Sequence, residues 1–157
     1  MDQKSEITAL LRQEEGIRYT PYLDSLGYPT IGVGFRLGPQ GAPLNNYTFS
    51  LNDQTINAWL DHNLAGIEAS MWQNSEIALA LSHCNQPRRD ILTSMAYQMG
   101  ASGLGKFHRM LAMIMKEDWR EAAAEMLDST WARQTSARAH RHAEVMNAGV
   151  WAPTYPF

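Results

Sequence analysis

Apolar positions recur along the chain in two rhythms. Ser5 has the chemistry of an N-cap, Ile7, Leu10, Leu11 and Glu14 follow at helical spacing, and Gly16 stands where a C-terminal glycine cap belongs. The pattern predicts a short helix over roughly 5–15. Residues 17–36 change character. Tyr19, Tyr22, Leu23, Tyr28, Thr30, Ile31, Val33 and Phe35 favour strands, and Pro21, Gly27, Pro29, Gly32 and Gly34 interrupt them. With Asp24-Ser25-Leu26-Gly27 as a turn, this reads as an irregular antiparallel sheet of two or three strands. Gly38, Pro39, Gly41, Pro43, Asn45 and Asn46 mark 37–50 as a loop.

Helical spacing then takes over. Ser50, with Asp53 three residues on, begins a partial capping pattern ahead of Ile56, Trp59, Leu60, Leu64 and Ile67. The helix runs over about 51–72, long and free of proline, and suits a connector between a sheet-bearing half and a helical half. Asn85-Gln86-Pro87 caps the next helix, whose Ile91, Leu92, Met95 and Met99 stop at Gly100. Leu104–Met115 is short and apolar. Glu117 and Asp118 open an amphipathic series of Trp119, Ala122, Ala123, Met126 and Leu127. Thr135 can cap a last helix that ends before Gly149.

Composition narrows the class. At 157 residues the chain has room for one domain with a real core, and 45% apolar against 18% charged residues argues against disorder. A lone cysteine, Cys84, excludes an internal disulfide and a cysteine-cluster zinc site. The net charge of −3 does not suggest a general nucleic-acid binder. Residues 1–85 carry four basic and nine acidic side chains, whereas 86–157 carry nine basic and seven acidic ones. Either the charge is scattered and solvated, or an acidic half is joined to a half that faces a polyanion. The acidic opening Met1-Asp2-Gln3-Lys4-Ser5-Glu6 is followed by no signal-peptide core, and the longest apolar stretch, Met110–Met115, is far too short to span a bilayer. Both point to a chain made soluble in the cytoplasm.

The sharpest chemical feature is a local conflict. Glu14 and Glu15 end the first helix, where the dipole opposes negative charge and favours a protonated carboxyl. A protonated carboxyl is what a general acid requires. Asp24 follows nine residues after Glu15 in the turn. Two carboxyls flanking a bond are the equipment of glycoside hydrolysis. Spacing alone is weak support, because Asp is a common turn residue, and it leaves Glu14 and Glu15 as rivals.

The wider context decides more. Glu15-Gly16, then Tyr22-Leu23-Asp24-Ser25-Leu26-Gly27, then Thr30-Ile31-Gly32-Val33-Gly34 resembles the phage-type lysozymes, glycoside hydrolase family 24, in order and spacing. Tyr97-Gln98-Met99-Gly100, Trp119 to Ala123, Trp131 with Gln134-Thr135 and Arg138-Ala139, and Gly149-Val150-Trp151 extend the resemblance over nearly the whole chain. It implies one α+β, lysozyme-like domain over 1–157. A small antiparallel sheet lobe (about 12–50) joins through the long helix (about 51–72) to a larger helical lobe (about 73–157, with helix 5–15), and the cleft lies between them.

The resemblance also implies roles. Glu15, which directly precedes the glycine, is the general acid, Asp24 the base that activates water, and Thr30 the holder of that water. The family is regarded as inverting, which needs carboxyls about 6.5–9.5 Å apart. Arg138 reaches toward Glu15, and Tyr97 and Gln98 line the far wall and bind sugar. Two departures stand out. Phe35 replaces a common histidine and removes a tunable charge, and Arg36 replaces an apolar residue and can meet substrate. Met110 and Glu125 fall where the family's type enzyme has small or polar residues.

Other candidates carry less. His140 and His142 diverge by about 200° on a helix, so they do not make a metal pair. His62, His83 and His108 suit the surface or helix caps. Trp59, Trp72, Trp119, Trp131 and Trp151 suit the core, with room for one of them at the cleft, and the nine Met residues suit core packing. Gly32-Val33-Gly34 lacks the Lys-Ser/Thr of a phosphate loop.

The reading that results is an endolysin-type muramidase. It cuts the β-1,4 bond between N-acetylmuramic acid and N-acetylglucosamine in peptidoglycan, and lyses bacteria. It needs no metal or cofactor, binds no nucleic acid, does not insert stably in a membrane and acts as a monomer. It is made in the host bacterial cytoplasm and reaches the periplasmic wall after holin release, or travels as a module of a virion or secretion apparatus. A lytic transglycosylase, a wall-binding relic and a helical nucleic-acid or protein module are the alternatives.

Overall fold

Local chemistry sets the first element of the computed structural model, which describes residues 3–157. Met1 and Asp2, the start of the acidic opening, lie outside the described residues. The Ser5 hydroxyl accepts from the Ile7 N–H at 3.3 Å, and α1 (Ile7–Glu15) follows. Leu10 and Leu11 bury its apolar face. Gly16, at φ 74°, closes it with an N–H to the Arg12 carbonyl at 3.0 Å.

Three antiparallel strands follow in sheet order β1 (Arg18–Leu23), β2 (Pro29–Gly32) and β3 (Phe35–Arg36). The register places Tyr22 opposite Thr30, and Thr30 opposite Arg36, with an irregularity in β1 between Arg18 and Tyr22. A single 3-10 turn, Leu44–Asn46, punctuates the loop beyond.

The long helix α2 is Asp53–Gln73. Its cap is Asn52 rather than Ser50. The Asn52 side chain accepts from Thr55 N at 2.9 Å and its carbonyl from Ile56 N at 3.0 Å. Ser50 stands too early, because the Leu51 N–H still donates to the Tyr19 carbonyl at 2.9 Å.

The chain divides into two compact units. One is Thr8–Leu64, and the other joins the described part of Met1–Ile7 to Ala65–Phe157. The division falls within α1 and α2, so most of α1 clusters with the sheet instead of with the helical lobe. Ile31, Val33, Phe35, Ile56 and Leu60 form the core of the first unit, with Phe35 stacked on Trp59 at 4.6 Å.

The second unit contains α3 (Ser75–His83), α4 (Gln86–Gly105), α5 (His108–Met115), α6 (Trp119–Leu127), α7 (Thr130–Gln134) and α8 (Ser136–Ala148). Asn74, Asn85, Asp118 and Ser129 cap α3, α4, α6 and α7 through their side chains. Gly100, at φ 79° and ψ 160°, breaks α4 where helical spacing stops. The apolar stretch from Leu104 is not one helix, because Lys106 and Phe107 turn back onto Gly103 and Leu104 before α5 begins. Thr135 precedes α8 but makes no side-chain cap. Its hydroxyl donates to the Trp131 carbonyl at 2.9 Å. Met95, Met110, Met126 and Met146 are buried, whereas Trp72 is half exposed and departs from the core role expected of it.

Candidate active site

The first unit assembles Glu15, Asp24, Thr30 and Arg36. Glu15 is the last residue of α1 and is half-buried. Its carboxyl lies over Gly34, where an added Cβ would stand 3.1 Å from Oε2. Glu15, not Glu14, makes this approach. Gly32 has a different reason to be glycine, since a Cβ there would meet the Phe35 ring at 2.5 Å. The Gly-x-Gly pair thus admits one carboxyl and one ring.

Asp24 opens the turn between β1 and β2. Its Oδ1 accepts from the N–H groups of Leu26 and Tyr28, both at 2.9 Å, and its own N–H donates to the Tyr28 carbonyl at 3.0 Å. This is an Asx-type turn, the chemistry that makes Asp common in turns. Both side-chain bonds fall on Oδ1, so Oδ2 is the oxygen left to face a water.

Thr30 is buried on β2, and its hydroxyl donates to the Tyr28 carbonyl at 2.8 Å. With its one proton committed, the oxygen can only accept, which suits a group that receives a hydrogen from water. Arg36, in register with Thr30, lays its guanidinium over the Tyr28 ring at 3.8 Å from the centroid.

Tyr22 is the residue that sequence reasoning passed over. It entered as part of a motif, with no role. Burial, then the charge of Glu15, raises its hydroxyl above the ordinary tyrosine value of 10.0. Asp24 raises it further, and Arg18 opposes. Both carboxyls are therefore within electrostatic reach of one phenol. Strand register was the available signal, since Tyr22 stands opposite Thr30.

The second unit holds the other three expected residues. Tyr97 is half-buried near the end of the first part of α4. Gln98 accepts from Trp131 Nε1 at 2.8 Å. Arg138, buried on α8, donates to Ser94 Oγ at 3.0 Å. Met110 and Glu125 line a cavity of about 550 Å³ with Phe107, Arg109, Asp128 and Trp131. Of the paired histidines, His140 faces solvent and His142 is fully buried. Among the described residues, no helix is long and apolar enough to cross a membrane.

A helix-end carboxyl, a turn carboxylate and a small sheet attached to a helical unit describe a glycoside hydrolase of lysozyme type. Residues 12–144 match the phage lysozyme family, and the chain belongs to it. The chain is 29% identical over 156 residues to the pre-baseplate central spike protein Gp5 of Enterobacteria phage T4. That match covers 89% of this chain and 27% of the spike protein, so the chain spans about a quarter of that relative's length. It is 27% identical over 162 residues to probable T4-type lysozyme 1 of Dictyostelium discoideum, covering 92% of this chain and 95% of that protein.

Proposed function

We propose that this lysozyme hydrolyses the β-1,4 bond between N-acetylmuramic acid and N-acetylglucosamine in peptidoglycan, by single-step acid–base displacement. Glu15 protonates the departing glycosidic oxygen. Asp24 Oδ2 takes a proton from water on the opposite face of the sugar, and Thr30 Oγ1 accepts that water's second hydrogen. Arg36, Tyr97, Gln98 and Arg138 bind the glycan. The reaction inverts the anomeric centre, because the water attacks directly.

The observation that carries this reading is the division of labour around Tyr28. Its N–H fixes Asp24 Oδ1, and its carbonyl takes the Thr30 proton. One residue thereby leaves a carboxylate oxygen and a hydroxyl lone pair for a water. Delivery to the wall follows holin release or carriage on a virion, and likeness to a phage spike protein supports the second route.

Mass spectrometry of fragments from purified peptidoglycan tests the reaction, comparing the wild type with Glu15→Gln. Reducing-end muramic acid, present with the wild type and absent with the variant, is the expected result. Anhydro-muramic ends would make the enzyme a transglycosylase and remove the base role of Asp24. Sedimentation with the wall without cutting would leave only binding.

A further inference from the structure

Away from the two carboxyls, four polar side chains in the helical unit form a chain almost wholly shielded from solvent. Arg138 is 8% exposed, Ser94 and His142 0%, and Tyr155 1%. Arg138 Nη2 lies 3.0 Å from Ser94 Oγ, Ser94 Oγ lies 2.7 Å from His142 Nε2, and His142 Nδ1 lies 2.8 Å from Tyr155 Oη.

The direction of each bond follows from donor chemistry. A guanidinium only donates, so Ser94 Oγ accepts from Arg138. The Ser94 proton must then go to His142 Nε2. An imidazole that accepts at Nε2 carries its proton on Nδ1 and donates it to Tyr155. The opposite tautomer would leave the buried Ser94 proton with no acceptor among the described residues, an unsatisfied donor that burial penalises. Burial, then the charges of Arg138 and Arg141, holds the imidazole well below its ordinary 6.5, so the ring is neutral.

Packing braces the Tyr155 end of the chain and its histidine. Tyr155 is stacked on Phe157 at 5.6 Å and meets Trp151 edge-on at 5.7 Å. The His142 ring also lies 6.0 Å from Trp131, whose indole N–H is bonded to Gln98. His142 therefore touches the supports of both Arg138 and Gln98. A serine 2.7 Å from a histidine is also the pairing of an activated nucleophile, but full burial denies it any substrate.

We propose that His142 is a positioning residue for glycan hydrolysis: braced by Tyr155, it turns the Ser94 hydroxyl so that a lone pair faces Arg138 and fixes the guanidinium. The proposal rests on the reading of Arg138 as a glycan-binding residue. It makes His142, Ser94 and Arg138 one unit, so their losses do not add.

The test uses His142→Phe, Ser94→Ala, the double variant and His142→Gln, which restores an acceptor near the Nε2 position. Thermal unfolding, kcat and KM on soluble glycan fragments, and the nitrogen-15 signals of the Arg138 guanidinium are measured for each. His142→Phe and Ser94→Ala should each lose roughly tenfold in kcat/KM, about one hydrogen bond's worth, and average the separate Arg138 Nη signals. The double variant should be no worse than the poorer single one, and His142→Gln should recover part of the loss. Unchanged Arg138 signals in His142→Phe, losses that multiply, or no recovery in a folded His142→Gln would each overturn the proposal. If His142→Phe does not fold, Ser94→Ala and His142→Gln decide it. If the wild type cuts no glycan, the proposed function falls, and the Arg138 signals still decide whether His142 fixes the guanidinium.

Discussion

The Glu15 carboxyl lies over Gly34, with Oε2 3.1 Å from the place a Cβ would occupy. Gly34 also sits at φ 71°, where a side chain is strained by about 1–2 kcal/mol. Gly34→Ala should therefore lose about that much stability and also displace the carboxyl. Gly41→Ala separates the two effects. Gly41 has φ 81° and open space around its Cβ position. Urea melts and wall-lysis assays on both variants should show similar stability losses, with a further fall in activity only for Gly34→Ala. Equal activities would mean that the approach to Glu15 is immaterial.

Asp24 combines a structural oxygen and a chemical one. Asp24→Asn keeps a carbonyl oxygen for the Leu26 and Tyr28 N–H groups while removing the base. Activity should fall by about 10²–10⁴-fold, the usual worth of a positioned base, while the melting midpoint stays near that of the wild type. Asp24→Ala should lose both. Calorimetry beside turnover on purified wall makes the comparison. A fully active Asp24→Asn would transfer the base role elsewhere.

The residue after Gly34 shows where reading from sequence reached and where it stopped. Phe35 read as a lost charge, by comparison with the family. In the fold it is buried and stacked on Trp59, a contact between residues 24 positions apart that no local pattern reveals. Phe35→His should cost about 1–3 kcal/mol, because a buried ring nitrogen would need a partner. Chemical denaturation measures this, and a stability equal to wild type would show that the site already holds one.

The same line separates the other outcomes. Gly16, Gly100, Gly149 and the Asn85-Pro87 cap were legible because they obey rules spanning a few residues. Thr135 and Ser50 were misread because Trp131 and Asn52 offered competing local bonds. Glu15 and Asp24 stand out as candidates from the helix end and the turn, and the motif alone prefers Glu15 to Glu14 and adds Thr30, whereas Tyr22 needs the strand register. Ser94 and His142, 48 residues apart, carry no sequence signal at all.

Cys84 tests burial directly. Desolvation pushes its thiol up to about 12, so at pH 8 only about one molecule in ten thousand carries a thiolate. Iodoacetamide should leave the native protein unlabelled and alkylate it fully in urea. Mass spectrometry after timed quenching reads both states. Rapid native labelling would show that this end of α3 opens freely.

His142 should make stability depend on pH in a defined direction. Its folded pKa lies well below 6.5, so between that value and 6.5 the unfolded chain binds a proton that the folded one refuses. Stability from this group is full above 6.5 and is lost as pH falls towards the folded pKa, by at most about 1.4 kcal/mol per pH unit. Asp90 and Glu68 act with the opposite sign, since burial raises both and favours the folded state at low pH. The difference between wild type and His142→Gln removes their contribution. Arg138 and Arg141, the cations that face the ring, remain in both proteins. Urea denaturation from pH 7.5 to 5 should show the wild type losing more stability than the variant. Parallel curves would mean that His142 accepts a proton in place, and that its bond from Ser94 can reverse.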